Sequence, residues 1–209
     1  MKRVLNSGYI KLNKVLGDEK QLLDKSKQLS FYQNLSQDEM IKDMVSKSTM
    51  LGSILFVFEI KVPVLLLLQS FQKANLGTLE TFLTSDVSEA YIPPSFFKLG
   101  PSGYVPMEDK DCNDLNTKYS NFYRSIINFY HKLLEKGVCQ QEAQLVLPQG
   151  LFTTFTWSLG ADELITFIDQ YNSLSPEMRG YCEVFLLYLE ENMLVTSEWL
   201  KRNKWQDLF

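Results

Sequence analysis

An apolar stripe at helical spacing is the feature that most constrains the fold of this chain. Apolar residues recur at intervals of three and four through one segment: Tyr119, Phe122, Tyr123, Ile126, Ile127, Tyr130, Leu133 and Leu134. This spacing places them on one face of a helix, predicted from about Asp114 to Lys136, and Gly137 follows where a helix stop belongs. Such a face needs a packing partner, so we expect it to lie in the core or in a subunit interface.

Shorter patterns on both sides of this helix predict an α+β protein in which helices dominate. Val4 to Leu16 predicts an edge strand or a pair of strands around Gly8. Residues 53–62 are rich in β-forming side chains and predict a buried strand, and Pro63 can begin a buried helix that runs to Lys73. Further helices are predicted at 18–29, 36–47, 140–147, 162–171, 176–191 and 196–204, and a further strand at 150–159.

Residues 84–113 are the region with the weakest periodicity. They contain Pro93, Pro94, Pro101 and Pro106, together with two glycines, and predict a long surface loop. The sequence on either side of this region is equally apolar, so the loop is not interpreted as a linker. We therefore expect residues 1–209 to form a single domain.

Composition excludes several classes of function. The chain has 21 Lys and Arg against 25 Asp and Glu and no basic run, which argues against nucleic-acid binding. Its most apolar stretch, residues 54–68, is interrupted by Glu59, Lys61 and Pro63, so we expect no membrane span and no membrane partner. No secretory leader is visible, and the three cysteines are too widely spaced for a disulfide framework; both features favour the cytoplasm.

The single histidine excludes further chemistries. His131 has no second histidine and no nearby cysteine with which to bind a metal ion, so no metal site is expected. It lies within the strongly predicted helix, where a surface histidine is a simpler interpretation than a Ser-His-Asp site. The single histidine therefore gives no indication of a metal-bound or Ser-His-Asp catalytic residue.

Several segments, taken in order, resemble one enzyme family. Residues 133–148 contain Glu135-Lys136-Gly137-Val138 followed by Ala143-Gln144-Leu145-Val146-Leu147-Pro148, and an aromatic strand then reaches Trp157. These segments resemble the flavin-dependent thymidylate synthases, the ThyX family, in which a helix ending in Gly-Val leads to Ala-Arg-x-Val-Leu-Pro and a strand ending in Trp. Residues 4–18, 58–63 and 91–93 extend the resemblance over most of the chain.

The resemblance implies a fold and a chemistry. The fold would be a ThyX-like, helix-rich domain with a small antiparallel sheet around a central buried helix. The family binds FAD and a pyrimidine nucleotide at the interfaces of a homotetramer, and arginines converge there because guanidinium groups match phosphate oxygens. The flavin relays reducing equivalents while a folate supplies the one-carbon unit.

Six residues stand at family ligand positions. The resemblance assigns Ser30, Thr49 and Lys73 to the cofactor, and Gln69, Gln72 and Glu80 to the substrate. Each also has a structural explanation, because serine and threonine cap backbone turns and Gln69 can simply face water at the end of a helix.

The arginines of the family are missing. The positions where it places them hold Gln72, Ala74, Thr84, Gln144 and Tyr171, and a further one holds Asp162, which reverses the charge. A hydrogen bond to a charged group contributes about 1.5–3 kcal/mol. The loss of two or three would therefore weaken phosphate binding by about three to six orders of magnitude.

Three hypotheses follow. The first is a divergent homologue that has lost methylation of the pyrimidine nucleotide, with no catalytic residue and no bound cofactor. It would act as a structural, interaction or ligand-binding protein, alone as a homotetramer or with an active paralogue. The second is an active FAD-dependent enzyme that modifies a pyrimidine nucleotide at a remodelled site. The third is an unrelated α+β domain, which the shared order of segments makes the weakest.

Overall fold

A computed structural model of the protein describes residues 1–47, 50–82, 89–101 and 103–206. Its strands are β1 (Lys2–Val4), β2 (Gly8–Leu16), β3 (Leu55–Pro63), β4 (Thr78–Phe82), β5 (Phe97–Gly100), β6 (Gly103–Pro106) and β7 (Phe152–Gly160). Its α-helices are α1 (Glu19–Lys27), α2 (Gln37–Lys47), α3 (Val64–Leu66), α4 (Asp109–Glu135), α5 (Gln140–Ala143), α6 (Ala161–Ile168), α7 (Pro176–Asn192) and α8 (Leu194–Asn203).

The chain forms two compact units. The sheet unit comprises Met1–Val62, Leu66–Leu83 and Thr154–Phe209, and the long-helix unit comprises Pro63–Leu65 and Thr84–Thr153. The mixture of helices with a small sheet confirms the predicted α+β class. The single domain over residues 1–209 stays a prediction.

The sheet unit is organised around five strands in the order β1-β2-β3-β7-β4. β1 pairs with β2 in antiparallel fashion with Val4 opposite Gly8, which confirms the predicted strand pair around Gly8. β2 is antiparallel to β3 and β4 is antiparallel to β7. β4 was not predicted, because its five residues, Thr-Leu-Glu-Thr-Phe, are too few to show a clear period.

One face of the sheet forms the core because the strands alternate in burial. Phe56, Phe58 and Ile60 of β3 are fully buried, whereas the residues between them are only half-buried. Helix α7 covers this face: the Tyr181 hydroxyl donates to the Lys61 carbonyl at 2.8 Å, and the Tyr188 hydroxyl donates to the Ile10 carbonyl at 3.2 Å. Burial of aromatic area stabilises the layer.

A cluster of aromatic rings fixes the segment that follows α3. Phe71 packs edge-on against Trp157 with ring centroids 5.1 Å apart, and stacks on Phe167 at 5.5 Å. Phe185 of α7 contacts the same rings. The Trp157 indole N–H also donates to the Leu76 carbonyl at 2.9 Å, so both ends of this segment are held.

The predicted helix at 64–73 differs from expectation in its winding. β3 includes Pro63, so α3 begins one residue later, and a π-helical turn occupies Leu67–Gln72. Leu66, Leu67 and Phe71 are buried, while Leu65 and Leu68 remain 39% and 42% exposed. A run of apolar residues in the sequence does not distinguish an α-helical turn from a π-helical one. The π-helical turn could therefore not be predicted from the sequence.

The C-terminal segment packs on its own unit. Trp205 is almost completely buried, and its indole N–H donates to Asp169 Oδ1 at 2.8 Å. Nearby, the buried Glu19 carboxylate accepts the backbone N–H groups of Val195 and Thr196 at 3.0 and 2.7 Å. A negative charge at the first turn of α8 is favourable because of the helix dipole.

The long-helix unit is built on α4. This helix begins at Asp109, five residues before the predicted start, and its buried side chains are Cys112 and Tyr130. Most of the predicted apolar stripe is only partly buried, and two of its members, Tyr119 and Phe122, are 40% and 58% exposed. His131 is exposed on the same helix, as expected.

The prediction of a loop over residues 84–113 needs correction among the residues that are described. β5 and β6 form a two-stranded antiparallel hairpin with Phe97 opposite Pro106, and α4 already occupies residues from Asp109. Three of the prolines and glycines that indicated a loop, Gly100, Gly103 and Pro106, are terminal residues of strands only four residues long. Across the described ranges, no helix has both the length and the apolar character needed to cross a membrane.

Replacing Gly77 with alanine tests how closely the turn before β4 approaches Ser158 and Leu159 of β7. Gly77 has a φ of +62°, and a Cβ there would meet the Ser158 carbonyl oxygen and lie 2.6 Å from Leu159 Cβ. We expect Gly77→Ala to lower the free energy of unfolding by about 2 kcal/mol or more, measured by urea denaturation. The matched control is Gly137→Ala, where φ is +81° but nothing lies within 4 Å, and only about 1 kcal/mol should be lost. Equal losses would contradict the predicted steric conflict.

The three cysteines should differ in reactivity. Cys139 is exposed, whereas Cys112 and Cys182 are buried, and burial raises the pKa of Cys182 to about 12. We expect one fast-reacting thiol per folded chain with a disulfide reagent at pH 8, and none in Cys139→Ser. Because folding raises the Cys182 pKa above its ordinary value of 9.0, its contribution to stability is complete below that pH and declines as pH rises toward 12. Any fast-reacting thiol in Cys139→Ser would contradict the burial of Cys112 and Cys182.

Candidate functional site

A cleft of about 520 Å³ is the best candidate site in the sheet unit. Two segments line it, one at the π-helical turn and one after α6: Gln69, Ser70, Lys73 and Ala74, then Gln170, Ser173, Leu174 and Ser175. The first segment is set by the core, because Leu67 and Phe71 are buried while Gln69 and Lys73 stay exposed. Single π-helical turns of this kind occur frequently at functional sites.

The second segment is shaped by two short structures. Tyr171–Ser173 forms a 3₁₀ turn, and the Ser173 hydroxyl donates to the Gln170 carbonyl at 2.7 Å. Ser175 then caps α7, accepting the Met178 backbone N–H at 3.4 Å, and Pro176 occupies the first helical position. Ser-Pro at a helix start favours this geometry. The N-terminus of a 17-residue helix therefore borders the cleft.

The electrostatic character of the cleft is mildly positive. Lys73 is the one charged side chain among the described lining residues, and it forms no ion pair within the described parts of the chain. The dipole of α7 adds partial positive charge at Ser175. The remaining lining groups are amides, hydroxyls and two apolar side chains, so this donor set fits one phosphate group.

Comparison with known proteins decides the family. The family model described as thymidylate synthase complementing protein, Thy1, matches residues 14–193. This chain belongs to the Thy1 family. The resemblance to flavin-dependent thymidylate synthases is thereby confirmed, and the hypothesis of an unrelated α+β domain is wrong.

Curated relatives and a solved structure agree with this assignment. The flavin-dependent thymidylate synthase of Thermotoga neapolitana is 28% identical over 176 residues, covering 79% of this chain and 77% of the relative. That of Kosmotoga olearia is 25% identical over 179 residues, covering 80% and 77%. The crystal structure of the UMP/dUMP methylase PolB from Streptomyces cacaoi, bound with 5-Br UMP, superposes with a TM-score of 0.76 over 97% of each chain at 16% identity, which shows a shared fold.

Two of the six ligand positions inferred from the Thy1 family meet in the cleft. Gln69 and Lys73, assigned to substrate and cofactor respectively, both line it. Gln72 lies on the same π-helical turn and is exposed, but it is not a lining residue.

The other three ligand positions lie elsewhere or outside the described chain. Glu80 is exposed on β4, opposite Thr156 of β7. Ser30 lies in an exposed turn after α1, and Thr49 is outside the described residues. The ligand roles of all six residues stay predictions.

The resemblance expects arginines at several positions, and the structure shows where the described ones lie relative to the cleft. Ala74 lines it, and Tyr171 belongs to the 3₁₀ turn beside Ser173. Asp162 lies in the first turn of α6, with its Oδ1 3.1 Å from the position a Cβ would take on Gly52. There it stabilises the helix through the dipole, but it would repel a phosphate. Gln144 belongs to the long-helix unit, and Thr84 is outside the described residues.

Several lining residues were missed from the sequence. Ser70, Gln170, Ser173 and Ser175 were not predicted as site residues. The Ser-Leu-Ser-Pro run at 173–176 is a recognisable helix-start signal and could have indicated a cleft border. The glutamine and Ser70 carry no comparable local signal.

A second cavity of about 290 Å³ belongs to the long-helix unit. It is lined by Ala90, Ile92, Ser120, Tyr123, Arg124, Ile127 and Asn128, none of which was predicted as a ligand position. Burial raises the pKa of Tyr123, with the neighbouring Tyr119 as a second cause. Among the described residues, no group of three or more His, Cys, Asp or Glu is arranged to hold a metal ion.

Proposed function

We propose that this protein is a flavin-dependent enzyme that modifies a pyrimidine nucleotide at a remodelled site. The observation that carries the proposal is the convergence of Gln69 and Lys73 on one cleft, although they are assigned to different ligands. The naming of the Thermotoga and Kosmotoga relatives as flavin-dependent thymidylate synthases, and of PolB as a UMP/dUMP methylase, supports it.

Each group in the cleft has a definite task in this proposal. The Lys73 ammonium neutralises one phosphate group, which both FAD and a pyrimidine nucleotide carry. The Gln69 amide offers a donor and an acceptor together, as the edge of a uracil ring requires. A bound flavin would supply the reducing equivalents, with Lys73 and, by the family resemblance, Ser30 and Thr49 holding it.

The charge available in one copy of the chain limits affinity. A lysine acts as a point charge, whereas a guanidinium binds phosphate through two parallel hydrogen bonds. We therefore propose that the protein works as a homotetramer, with further copies adding donors around each ligand. The thiols, free in the structure, fit a reducing compartment, and we propose the cytoplasm.

A non-catalytic role is the second candidate, and one observation favours it. Asp162 stands where an arginine is expected, and it lies in the first turn of α6 beside Gly52. Ala74, where another arginine is expected, contributes no charge to the cleft. A scaffold of this kind could bind a ligand or an active paralogue without methylating anything. Mass analysis of dUMP after incubation with FAD, NADPH and a methylene-folate separates the two candidates: an added carbon supports the enzyme, and unchanged dUMP supports the non-catalytic role.

Replacing Lys73 tests the cleft. We expect Lys73→Ala to weaken binding of dUMP or FAD by about 10-fold to 100-fold, because it removes one charge-assisted hydrogen bond. Ligand-dependent shifts in melting temperature measure this loss, because a ligand that binds the folded state stabilises it by an amount that grows with the logarithm of ligand concentration over Kd. Lys20→Ala is the control, because Lys20 is an exposed lysine on α1 outside the cleft.

Three outcomes of the titration are informative. Loss of the shift in Lys73→Ala but not in Lys20→Ala supports the assignment of the cleft. Equal shifts in both variants place the ligand elsewhere. A wild-type protein that is colourless and unshifted by both FAD and dUMP contradicts the proposed enzyme.

A further inference from the structure

The second segment of the cleft is held from α7 by one arginine. The Arg179 guanidinium donates through Nη2 to the Asn172 carbonyl oxygen at 3.1 Å. Its central carbon also lies 5.5 Å from the centre of the Tyr171 ring. A guanidinium over an aromatic ring is attractive because the ring face is negative. Arg179 thus contacts Tyr171 and Asn172, the first two residues of the 3₁₀ turn whose third residue is Ser173.

A second side chain of the same helix holds the same turn. The Tyr171 hydroxyl donates to Glu183 Oε1 at 2.8 Å, and this hydrogen bond to an anion raises the Tyr171 pKa. Arg179 and Glu183 are four residues apart on α7 and therefore share one face of the helix. Together they fix the Tyr171 ring from two sides.

Part of the guanidinium is not used by this bracing. Arg179 Nε is buried and has no hydrogen-bond partner among the described residues. Buried donors are nearly always hydrogen-bonded in folded proteins. Because the Nε–H of Arg179 is an exception, hydrogen bonding alone does not explain where this guanidinium lies. Its position is better explained by its contacts with Asn172 and Tyr171 in the turn.

We infer that Arg179 is a positioning residue for the phosphate-binding cleft. It holds the Tyr171–Ser173 turn, and with it the Ser173 and Ser175 side of the cleft, in the shape that receives a phosphate group next to Lys73. This inference rests on the proposed function, because it takes the ligand to be a nucleotide or a flavin. Arg179 itself acts through the turn and does not line the cleft.

The test compares two arginines of the sheet unit. Arg179→Gln removes the charge and its hydrogen bond to the turn, whereas Arg202→Gln removes an exposed arginine of α8 whose guanidinium lies 3.5 Å from Asp38 Oδ1. Hydrogen exchange of the 170–175 amides reports on the turn without any ligand. Titrations with dUMP, with deoxyuridine and with FAD report on the cleft.

The expected result is faster exchange at 170–175 and at least tenfold weaker dUMP binding in Arg179→Gln, with deoxyuridine binding unchanged. Arg202→Gln should match the wild type. Arg179→Lys keeps the charge but lacks the planar fork, so it should give an intermediate dUMP affinity. It also serves as the second variant if Arg179→Gln does not fold.

Other results overturn the inference. Exchange and dUMP affinity in Arg179→Gln that equal those of Arg202→Gln would remove any role in positioning. Equal losses for dUMP and deoxyuridine would show a purely structural role. A wild type that binds neither FAD nor dUMP would refute the proposed function and the phosphate part of the inference together, while unchanged exchange would refute the bracing by itself.

Discussion

The packing of Phe71 against Trp157, Phe167 and Phe185 is the contact on which the candidate site depends. Phe71 is fully buried, so the π-helical turn that carries it cannot rotate without opening the core. Because that turn is fixed, Gln69 and Lys73 are presented to the cleft from a rigid base. A site whose first segment is anchored in this way loses little entropy when a ligand binds.

The described lining of the same cleft contains one charged side chain. The groups that it offers to a phosphate are Lys73, serine hydroxyls and the N-terminus of α7. Tyr171, at a position where the family places an arginine, receives a guanidinium from Arg179 instead.

The sequence predicted elements with strong periodicity and missed those defined by pairing. α4 was visible because its apolar residues repeat over many turns, and β3 because β-forming residues dominate it. β4, β5 and β6 were missed, since four or five residues with turn formers beside them carry too little pattern to reveal a partner strand. The π-helical turn was missed because winding depends on how Leu67 and Phe71 pack, not on their identity.

The candidate site was predictable only where a motif could be matched. Gln69 and Lys73 were found through the family resemblance and lie together, whereas Ser70 and Gln170 enter the cleft through tertiary packing alone. Arg179 could be named from the sequence as a basic residue, but its task depends on the fold bringing α7 beside the 3₁₀ turn.

Residues from opposite ends of the chain complete the sheet unit. Glu19 binds the start of α8 across 177 positions, Lys2 pairs with Glu191, and β3 lies next to β7, which follows it by about ninety residues. Closing such large loops costs chain entropy before the contacts that offset this cost can form. Folding should therefore be slow for a protein of this size. During synthesis the inner edge of β3 has no partner until β7 leaves the ribosome, and the N-terminal strands must wait for the last helices to cover them.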